Sequence, residues 1–179
     1  MCQYYFMYIL IDGYNLIRQS VFLQRYERRS LEAGRLALMT KLSDYKRKKD
    51  HRITVVFDGW KGGSVEEERD RHENIEIIYS RHGEKADDVI KRITDQTAEE
   101  TIVVSSDRDI ASYITRQGKT SLSSLEFETI MNRAISPSFG GMYRQEGEDG
   151  RGGHKRKKKG PARRLPRTKR HAQTKIKKL

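Results

Sequence analysis

Cysteine is almost absent from this sequence, since Cys2 is the single one among 179 residues. One cysteine excludes a disulfide framework within the chain and is typical of a reducing compartment. Long apolar runs are absent too, because the run over residues 4–11 is too short to span a bilayer and lacks the flanks of a signal peptide. We therefore expect a cytoplasmic protein.

Proline is missing from the first 136 residues, and the charge is unevenly distributed. Residues 1–135 carry 22 basic and 22 acidic side chains, whereas residues 136–179 carry 15 basic and three acidic ones, so the whole net charge of +12 lies in the last quarter. That quarter also holds all three prolines and seven of the 14 glycines. Because such a segment buries too little apolar surface to offset its ordering entropy, we predict a globular domain over 1–135 and a flexible, disordered Lys/Arg-rich tail over 136–179.

Several familiar site motifs are also absent. No Gly-x-x-x-x-Gly-Lys phosphate loop and no Gly-x-Gly-x-x-Gly dinucleotide loop follows the first apolar run. The five histidines show no metal-ligand spacing, and a lone cysteine near the start of the chain is a poor candidate for a nucleophile. These absences argue against a P-loop nucleotide hydrolase, a dinucleotide-binding enzyme and a zinc site.

The sequence does contain apolar runs of strand length, separated by helical patterns. We predict buried parallel strands over residues 5–11, 53–57, 75–79 and 101–105, and a short fifth one around 120–122. The run over 75–79 is half alternating, which favours a position nearer the edge of the sheet. Helices are predicted over 31–48, capped by Ser30, and over 86–94, 109–117 and 124–134. The charged stretch over 60–73 fits a short solvated helix or a mobile loop equally well.

Strands that alternate with helices predict an α/β, Rossmann-like fold with a parallel sheet covered on both faces. In such sheets ligands bind beyond the carboxyl ends of the strands. Three predicted strands are followed by an aspartate at that end: Asp12, Asp58 and Asp107.

Further acids come close to these in sequence, namely Asp87 and Asp88 after the third strand and Asp109 after the fourth. Clustered carboxylates repel one another unless a cation neutralises them, and hard oxygen ligands suit Mg²⁺ or Mn²⁺. The competing interpretation is structural, because Asp87 or Asp109 could cap a helix and Asp58-Gly59 is an ordinary turn pair. Asn15, three residues after Asp12, could bond a water, a carboxylate or a phosphate, or cap a loop.

Four motifs in order resemble the YacP-like branch of the NYN domains, within the PIN-like nuclease superfamily. They are Ile-Leu-Ile-Asp-Gly-Tyr-Asn-Leu over 9–16, Val-Val-Phe-Asp-Gly over 55–59, Lys-Ala-Asp-Asp over 85–88 and Val-Val-Ser-Ser-Asp over 103–107. The resemblance covers roughly residues 7–135. It implies a PIN-like three-layer fold and an Mg²⁺- or Mn²⁺-dependent endoribonuclease that acts on single-stranded RNA, with links to RNA processing and the ribosome.

Carried over residue by residue, the resemblance implies a catalytic set of Asp12, Asn15, Asp87 and Asp107. The same comparison implies metal ligands at Asp12, Asp87, Asp88 and Asp107, with Asp109 as a supporting carboxylate. Ser106 is expected to position water or a phosphate oxygen together with Asn15.

The basic tail lies outside the matched motifs, so its role follows from charge alone. Its basic clusters have no interleaved aromatic residue and should therefore bind RNA phosphates without stacking on bases. The predicted phosphate contacts are Lys155, Arg156, Lys157, Lys158, Lys159, Arg163 and Arg164. The alternative is a tail that only keeps the protein in solution.

Two other functions remain open. A PIN-like module could dock on RNA or the ribosome without cutting, although a pure binder gains nothing from carboxylates clustered near polyanionic RNA. A receiver-type phosphoryl-transfer domain would need a phospho-acceptor aspartate and a lysine after a late strand. Lys119 is the nearest candidate, but it follows the helix that begins at Asp109 and precedes the possible fifth strand.

Overall fold

The six strands in the computed structural model form a single sheet in the order β3-β4-β2-β1-β5-β6. The structure describes residues 7–59, 66–136 and 167–179. The strands are β1 (Tyr8–Asp12), β2 (Arg52–Phe57), β3 (Glu68–His72), β4 (Ile75–Tyr79), β5 (Thr101–Val104) and β6 (Thr120–Leu122). All neighbouring strands are parallel except β3 and β4. The central strands are buried along almost their whole length, as their continuous apolar runs predict.

Helices cover both faces of the sheet, so the predicted three-layer α/β fold is confirmed. The helices are α1 (Gly13–Gln19), α2 (Val21–Glu27), α3 (Leu31–Lys48), α4 (Ala86–Gln96), α5 (Arg108–Arg116), α6 (Ser124–Ile135) and α7 (Arg167–Ile176). One apolar core joins the sheet to residues of α1, α3 and α6, such as Leu16, Leu42 and Phe127. A second core joins the other face to α4 and α5, through Val89 and Ile110 among others.

The order of the strands in the sheet reverses at β1, because later strands are added first on one side of it and then on the other. The chain passes from β1 to β2 and β4 on one side, then returns to place β5 and β6 on the other side. At such a reversal the loops beyond the carboxyl ends separate and leave a crevice, where open α/β sheets bind their ligands. In this chain the crevice lies between the end of β1, whose last residue is Asp12, and the end of β5, which Asp107 follows.

Strand β3 corrects the prediction for residues 60–73. Residues 60–65 lie outside the described part of the chain, but Glu68–His72 forms an edge strand paired with β4, whereas the sequence pattern predicts a solvated helix or a loop there. Both faces of this strand are largely exposed, so its charged side chains remain hydrated while its backbone pairs with β4. The two residues of the hairpin turn, Glu73 and Asn74, have φ values of 45° and 63°, as a tight two-residue turn requires.

The end of the chain forms a helix, α7, so the prediction of a flexible tail is wrong for residues 167–176. Leu179 is 4% exposed and packs in the core that contains α3, and the buried hydroxyl of Tyr45 donates a 3.1 Å hydrogen bond to its carbonyl oxygen. Lys175 forms a 3.0 Å ion pair with Glu100. The prediction failed because the two apolar residues that anchor this basic helix, Ile176 and Leu179, contact a core built from sequence far away. Residues 137–166, with the basic clusters at 155–159 and 163–164, lie outside the described residues.

Two short helices, α1 and α2, occupy residues for which the sequence patterns predicted no element. Residues 1–6, which include the first two residues of the strand predicted over 5–11, are likewise outside the described range. Among the helices that the structure describes, none is long and apolar enough to cross a membrane.

Candidate active site

Asp12 is the most deeply buried carboxylate at the carboxyl edge of the sheet. It is the last residue of β1 and the N-cap of α1, and it is 7% exposed. Its Oδ1 atom accepts a 3.2 Å hydrogen bond from the backbone N–H of Asn15, and its Oδ2 atom accepts a 3.1 Å bond from the hydroxyl of Ser105. Strand β1 therefore places this carboxylate in the crevice, and the hydrogen bond to the first turn of α1 fixes the orientation of the carboxylate.

Burial raises the pKa of Asp12 from 3.8 to about 6, because the charged form loses hydration. The negative charges of Asp87 and Asp58 raise this pKa further, while the hydrogen bonds from Asn15 and Ser105 lower it. The site thus holds a carboxylate whose charge is only partly compensated by its protein neighbours.

Asp87 approaches the same place from the other side of the sheet. It lies half-buried in the first turn of α4, where the positive end of the helix dipole favours a negative charge. Burial raises its pKa, and so do the charges of Asp107 and Asp58, whereas Lys91 lowers it. The topology therefore brings Asp12, Asp58, Asp87 and Asp107 within electrostatic range, and we call these four the acidic cluster.

Asp107 belongs to this cluster and also begins α5. Its Oδ1 atom accepts hydrogen bonds from the backbone N–H groups of Asp109 and Ile110, at 2.7 and 3.2 Å. Its own N–H donates a 3.1 Å bond to Ser105, the residue that also bonds Asp12. Ser105 therefore links the ends of β1 and β5.

Asp58 has a clear structural contact. Its Oδ1 atom accepts a 2.7 Å hydrogen bond from the backbone N–H of Ala86. The residue at the N-cap of α4, Lys85, makes no side-chain capping bond of its own. Asp58 thus fastens the start of α4, and with it Asp87, to the end of β2.

The two remaining predicted acids lie further out. Asp88 and Asp109 are exposed in the first turns of α4 and α5, where they suit the positive helix ends. Neither side chain bonds Asp12 or Ser105. The structure therefore does not bring these two into the buried part of the cluster.

Asn15 and Ser106 form a second network beside Asp12. The Oδ1 atom of Asn15 accepts bonds from the N–H of Ser106 at 2.9 Å and from the buried hydroxyl of Ser124 at 2.8 Å. The hydroxyl oxygen of Ser106 in turn accepts a 3.1 Å bond from the N–H of Ser124. These contacts join α1, the loop after β5 and the start of α6. The side-chain oxygen of Asn15 is therefore already hydrogen-bonded within the protein.

Sequence reasoning missed Ser105 and Ser124 as members of the site. Ser105 stands directly between strand β5 and Asp107, which could have marked it as a neighbour of the acid. Ser124 was interpreted only as part of a capping box, which the structure does contain, with Ser123 and Glu126 bonding each other's backbone N–H.

The carboxylates do not converge on one point in this conformation. No group of three or more His, Cys, Asp or Glu residues within the described ranges is arranged to hold a metal ion. The helix caps explain part of this, because one oxygen each of Asp12, Asp58 and Asp107 bonds a backbone N–H at the start of a helix. The donor set is nevertheless entirely of oxygen, and its negative charge is the kind that a hard divalent cation neutralises.

A family model described as "YacP-like NYN domain" matches residues 9–177. The chain belongs to the YacP-like NYN domain family. The match extends well beyond the motifs over 7–135 and takes in α7. NYN domains are part of the PIN-like nuclease superfamily, so this chain carries the fold of a nuclease group.

Individual YacP proteins agree with the family match. The "Uncharacterized protein YacP" of Bacillus subtilis (strain 168) is 31% identical over 85 residues, which are 48% of this chain and 49% of that protein, so the match spans about half of the relative. The crystal structure of Rae1 (YacP) from Bacillus subtilis has a TM-score of 0.60 at 26% identity, covering 70% of this chain and 74% of Rae1. A point variant of Rae1 gives a TM-score of 0.59 at 25% identity, covering 71% and 75%.

Proposed function

We propose that this YacP-like NYN domain is a metal-dependent endoribonuclease that cleaves single-stranded RNA in the cytoplasm. The observation that carries the proposal is the buried Asp12 at the strand reversal, with a pKa of about 6 and with Asp87 and Asp107 close by. Charge of one sign crowded into a crevice is costly to the fold, and such perturbed carboxylates are typical of functional sites. Membership of a nuclease superfamily supports the same chemistry.

The donor chemistry of the cluster fits Mg²⁺ or Mn²⁺. Asp12, Asp87 and Asp107 would hold the ion, with Asp88 and Asp109 as outer carboxylates at the rim. An ion bound there would supply Lewis-acid chemistry, by polarising a phosphate oxygen and lowering the pKa of a bound water. Burial is the main reason that the pKa values of Asp12 and Asp87 are raised, and ion binding would relieve the additional repulsion between the carboxylates.

The protein's own residues orient this cluster. Ser105 holds Oδ2 of Asp12 and the N–H of Asp107 at a fixed separation. Asn15 and Ser106 brace the loop after β5 against α1 and α6, so their proposed role is to position the site. Residues 155–159 with Arg163 and Arg164 would raise the local concentration of RNA through phosphate contacts, and RNA bound to the ribosome is the proposed class of target.

The test is incubation of the purified full chain with a mixed pool of single-stranded RNA in Mn²⁺, Mg²⁺ or EDTA, followed by sequencing of the new RNA ends. The proposal predicts internal cuts with a divalent ion and none in EDTA. Trimming from the ends alone would contradict an endonuclease. RNA binding without cleavage in any ion would instead favour a non-catalytic RNA- or ribosome-binding module.

A further inference from the structure

A continuous row of aromatic rings and guanidinium groups runs along the carboxyl edge of the sheet. The ring centroids of Tyr14 and Phe57 are 5.1 Å apart, and those of Phe57 and Tyr79 are 5.8 Å apart with planes inclined by 23°. The guanidinium of Arg18 lies 5.4 Å from the centre of the Tyr14 ring, and that of Arg35 lies 5.5 Å from the centre of the Tyr79 ring. We call these five residues the aromatic row.

One part of the aromatic row lies beside the acidic cluster, and the other part lies further along the sheet edge. Tyr14 follows Asp12 by two residues, Phe57 directly precedes Asp58, and Tyr79 is the last residue of β4. A side chain at residue 13 would collide with Phe57, since a Cβ there would lie 2.3 Å from its ring, so Gly13 permits this packing. Because β4 lies two strands from β1, the backbone of Tyr79 is about 10 Å from that of Asp12 along the sheet edge.

The two arginines of the row differ in their partners. Arg18 is 64% exposed and forms a 3.5 Å ion pair with Glu27. Arg35 is partly buried and forms no ion pair with any residue of the described ranges. Glu68 and Asp70 of β3 lie within electrostatic range of the Tyr79 hydroxyl, yet neither pairs with Arg35. Within the described residues, Arg35 is therefore a cation held against a ring, and it forms no ion pair with the nearby Glu68 or Asp70.

A guanidinium that rests on a ring keeps its N–H edge available. That planar edge matches the oxygens of a phosphate and can bind two of them at once. The acidic cluster repels the phosphates of RNA, so a substrate needs a cation near the crevice to hold its backbone in place. Arg35, held against the Tyr79 ring at the end of β4, would supply such a cation two strands away from Asp12.

We propose that Arg35, seated on Tyr79, binds a backbone phosphate of single-stranded RNA beside the acidic cluster and is a substrate-positioning residue. This inference rests on the proposed ribonuclease function. It predicts that Arg35 governs the binding of RNA and that Tyr79 acts through Arg35. The other cations of α3 should contribute little.

The first test is RNA binding by the full chain in EDTA, in an Asp12→Asn background that keeps the RNA intact. Arg35→Ala should weaken binding of a short single-stranded RNA by about 10-fold to 100-fold, as the loss of a charge-assisted bond implies. The salt slope should fall by about 0.7, the value for one phosphate contact with a single strand. Arg47→Ala removes the same charge about 18 Å further along α3 and should change binding less than twofold.

The second test separates a seated guanidinium from a simple positive charge. Arg35→Lys should fail to restore binding, because an ammonium keeps the charge but lacks the planar fork. Tyr79→Phe keeps the ring and should bind as the unmodified residue does, whereas Tyr79→Leu should weaken binding. Adding Tyr79→Leu to Arg35→Ala should cause no further loss, since the two residues act as one unit. Full binding by Arg35→Lys would overturn the proposed geometry.

Cleavage kinetics distinguish a failure of this inference from a failure of the proposed function. With Asp12 intact, Arg35→Ala should raise KM by about 10-fold or more and leave kcat within about threefold, as expected for a residue that binds substrate and transition state alike. If the protein cuts RNA and Arg35→Ala matches Arg47→Ala in KM, the phosphate site is wrong and the nuclease stands. If nothing is cut but binding still depends on Arg35 and not on Arg47, the nuclease is wrong and the phosphate site stands.

Discussion

The hydroxyl of Ser105 donates a 3.1 Å hydrogen bond to Oδ2 of Asp12, across 93 positions of the sequence. The Oγ atom of Ser105 also accepts a 3.1 Å bond from the backbone N–H of Asp107. One buried hydroxyl thus fixes the orientation of one carboxylate and the backbone that carries another. It also lowers the pKa of Asp12, against the effect of burial.

Replacing Ser105 by Ala should therefore reduce RNA cleavage by about tenfold, since each lost hydrogen bond costs about 1 kcal/mol. The pKa of Asp12 should rise, because the bond that lowers it is gone. The measurement is the pH profile of cleavage, in which the acidic limb should move to higher pH, with recovery in Ser105→Thr, which keeps the hydroxyl.

Ser43 provides the matched control for this experiment. It is 3% exposed, and its hydroxyl has no hydrogen-bond partner among the described residues. Ser43→Ala should leave the pH profile unchanged and the free energy of unfolding equal or higher. An equal shift of the profile in both variants would show that Ser105 acts only through general packing.

Asp12 should make the metal-free protein less stable as the pH rises. Its folded pKa of about 6 exceeds 3.8, so the folded state holds the proton more tightly, and the stability this contributes is present below about pH 4 and lost as the pH rises through 6. The difference corresponds to on the order of 3 kcal/mol as an upper bound. Asp12→Asn should remove this decline, which urea unfolding in EDTA at pH 4 and at pH 7 would measure.

The effect of a divalent ion on the melting temperature tests the role of Asp12 without a measurement of activity. Mn²⁺ should raise the melting temperature of the unmodified protein at pH 7, because it binds the folded state. The rise should be much smaller in Asp12→Asn, and Asp44→Asn, which changes an exposed ion pair of α3, should respond as the unmodified protein does. An equal rise in Asp12→Asn would place the ion elsewhere.

Asp58 should prove to be a helix cap more than a reacting group. Asp58→Ala removes the acceptor for the N–H of Ala86 and should cost about 1 kcal/mol of unfolding free energy. Asp58→Asn keeps a side-chain oxygen and should retain most of the stability and of the cleavage rate. If Asp58→Asn abolished cleavage as fully as Asp12→Asn, Asp58 would belong with the reacting acids.

Much of the fold is predictable because its patterns are local. The apolar runs of β1, β2 and β5 are buried on both faces, and Ser30 and Ser123 cap α3 and α6 as their sequences indicate. Strand β3 carries no such pattern, because an exposed edge strand needs only backbone pairing. Helix α7 could not be predicted because its anchor, Leu179, meets Tyr45 only in the folded chain.

The acidic residues of the candidate site could be predicted from the sequence, but the hydrogen bonds between them and their neighbours could not. The rule that ligands meet the carboxyl ends of parallel strands selected Asp12, Asp58 and Asp107, which the topology does bring to one edge. The rule could not separate the capping role of Asp58 from the burial of Asp12, because both lie at the carboxyl end of an apolar run. It also could not identify Ser105, which is buried and bonds both Asp12 at the end of β1 and Asp107 at the start of α5.

The basic residues at 155–159 should strengthen RNA binding through charge alone. Deleting the tail would not test this, because it would also remove Leu179 from the core. Changing Lys155, Arg156, Lys157, Lys158 and Lys159 to Gln should instead lower the affinity for RNA and flatten its salt dependence, by about 0.7 in slope for each lost phosphate contact. Cleavage at saturating RNA should persist, and unchanged affinity would assign the tail a different role.

The central claim is that the acidic cluster cuts RNA. The most direct measurement compares the unmodified protein with Asp12→Asn and Asp107→Asn, purified identically, on a circular single-stranded RNA in Mn²⁺ or EDTA. The account predicts that the unmodified protein opens the circle only with Mn²⁺, and that both variants stay folded but fail to open it. Opening by either variant at the unmodified rate, or equal opening in EDTA, would contradict the account.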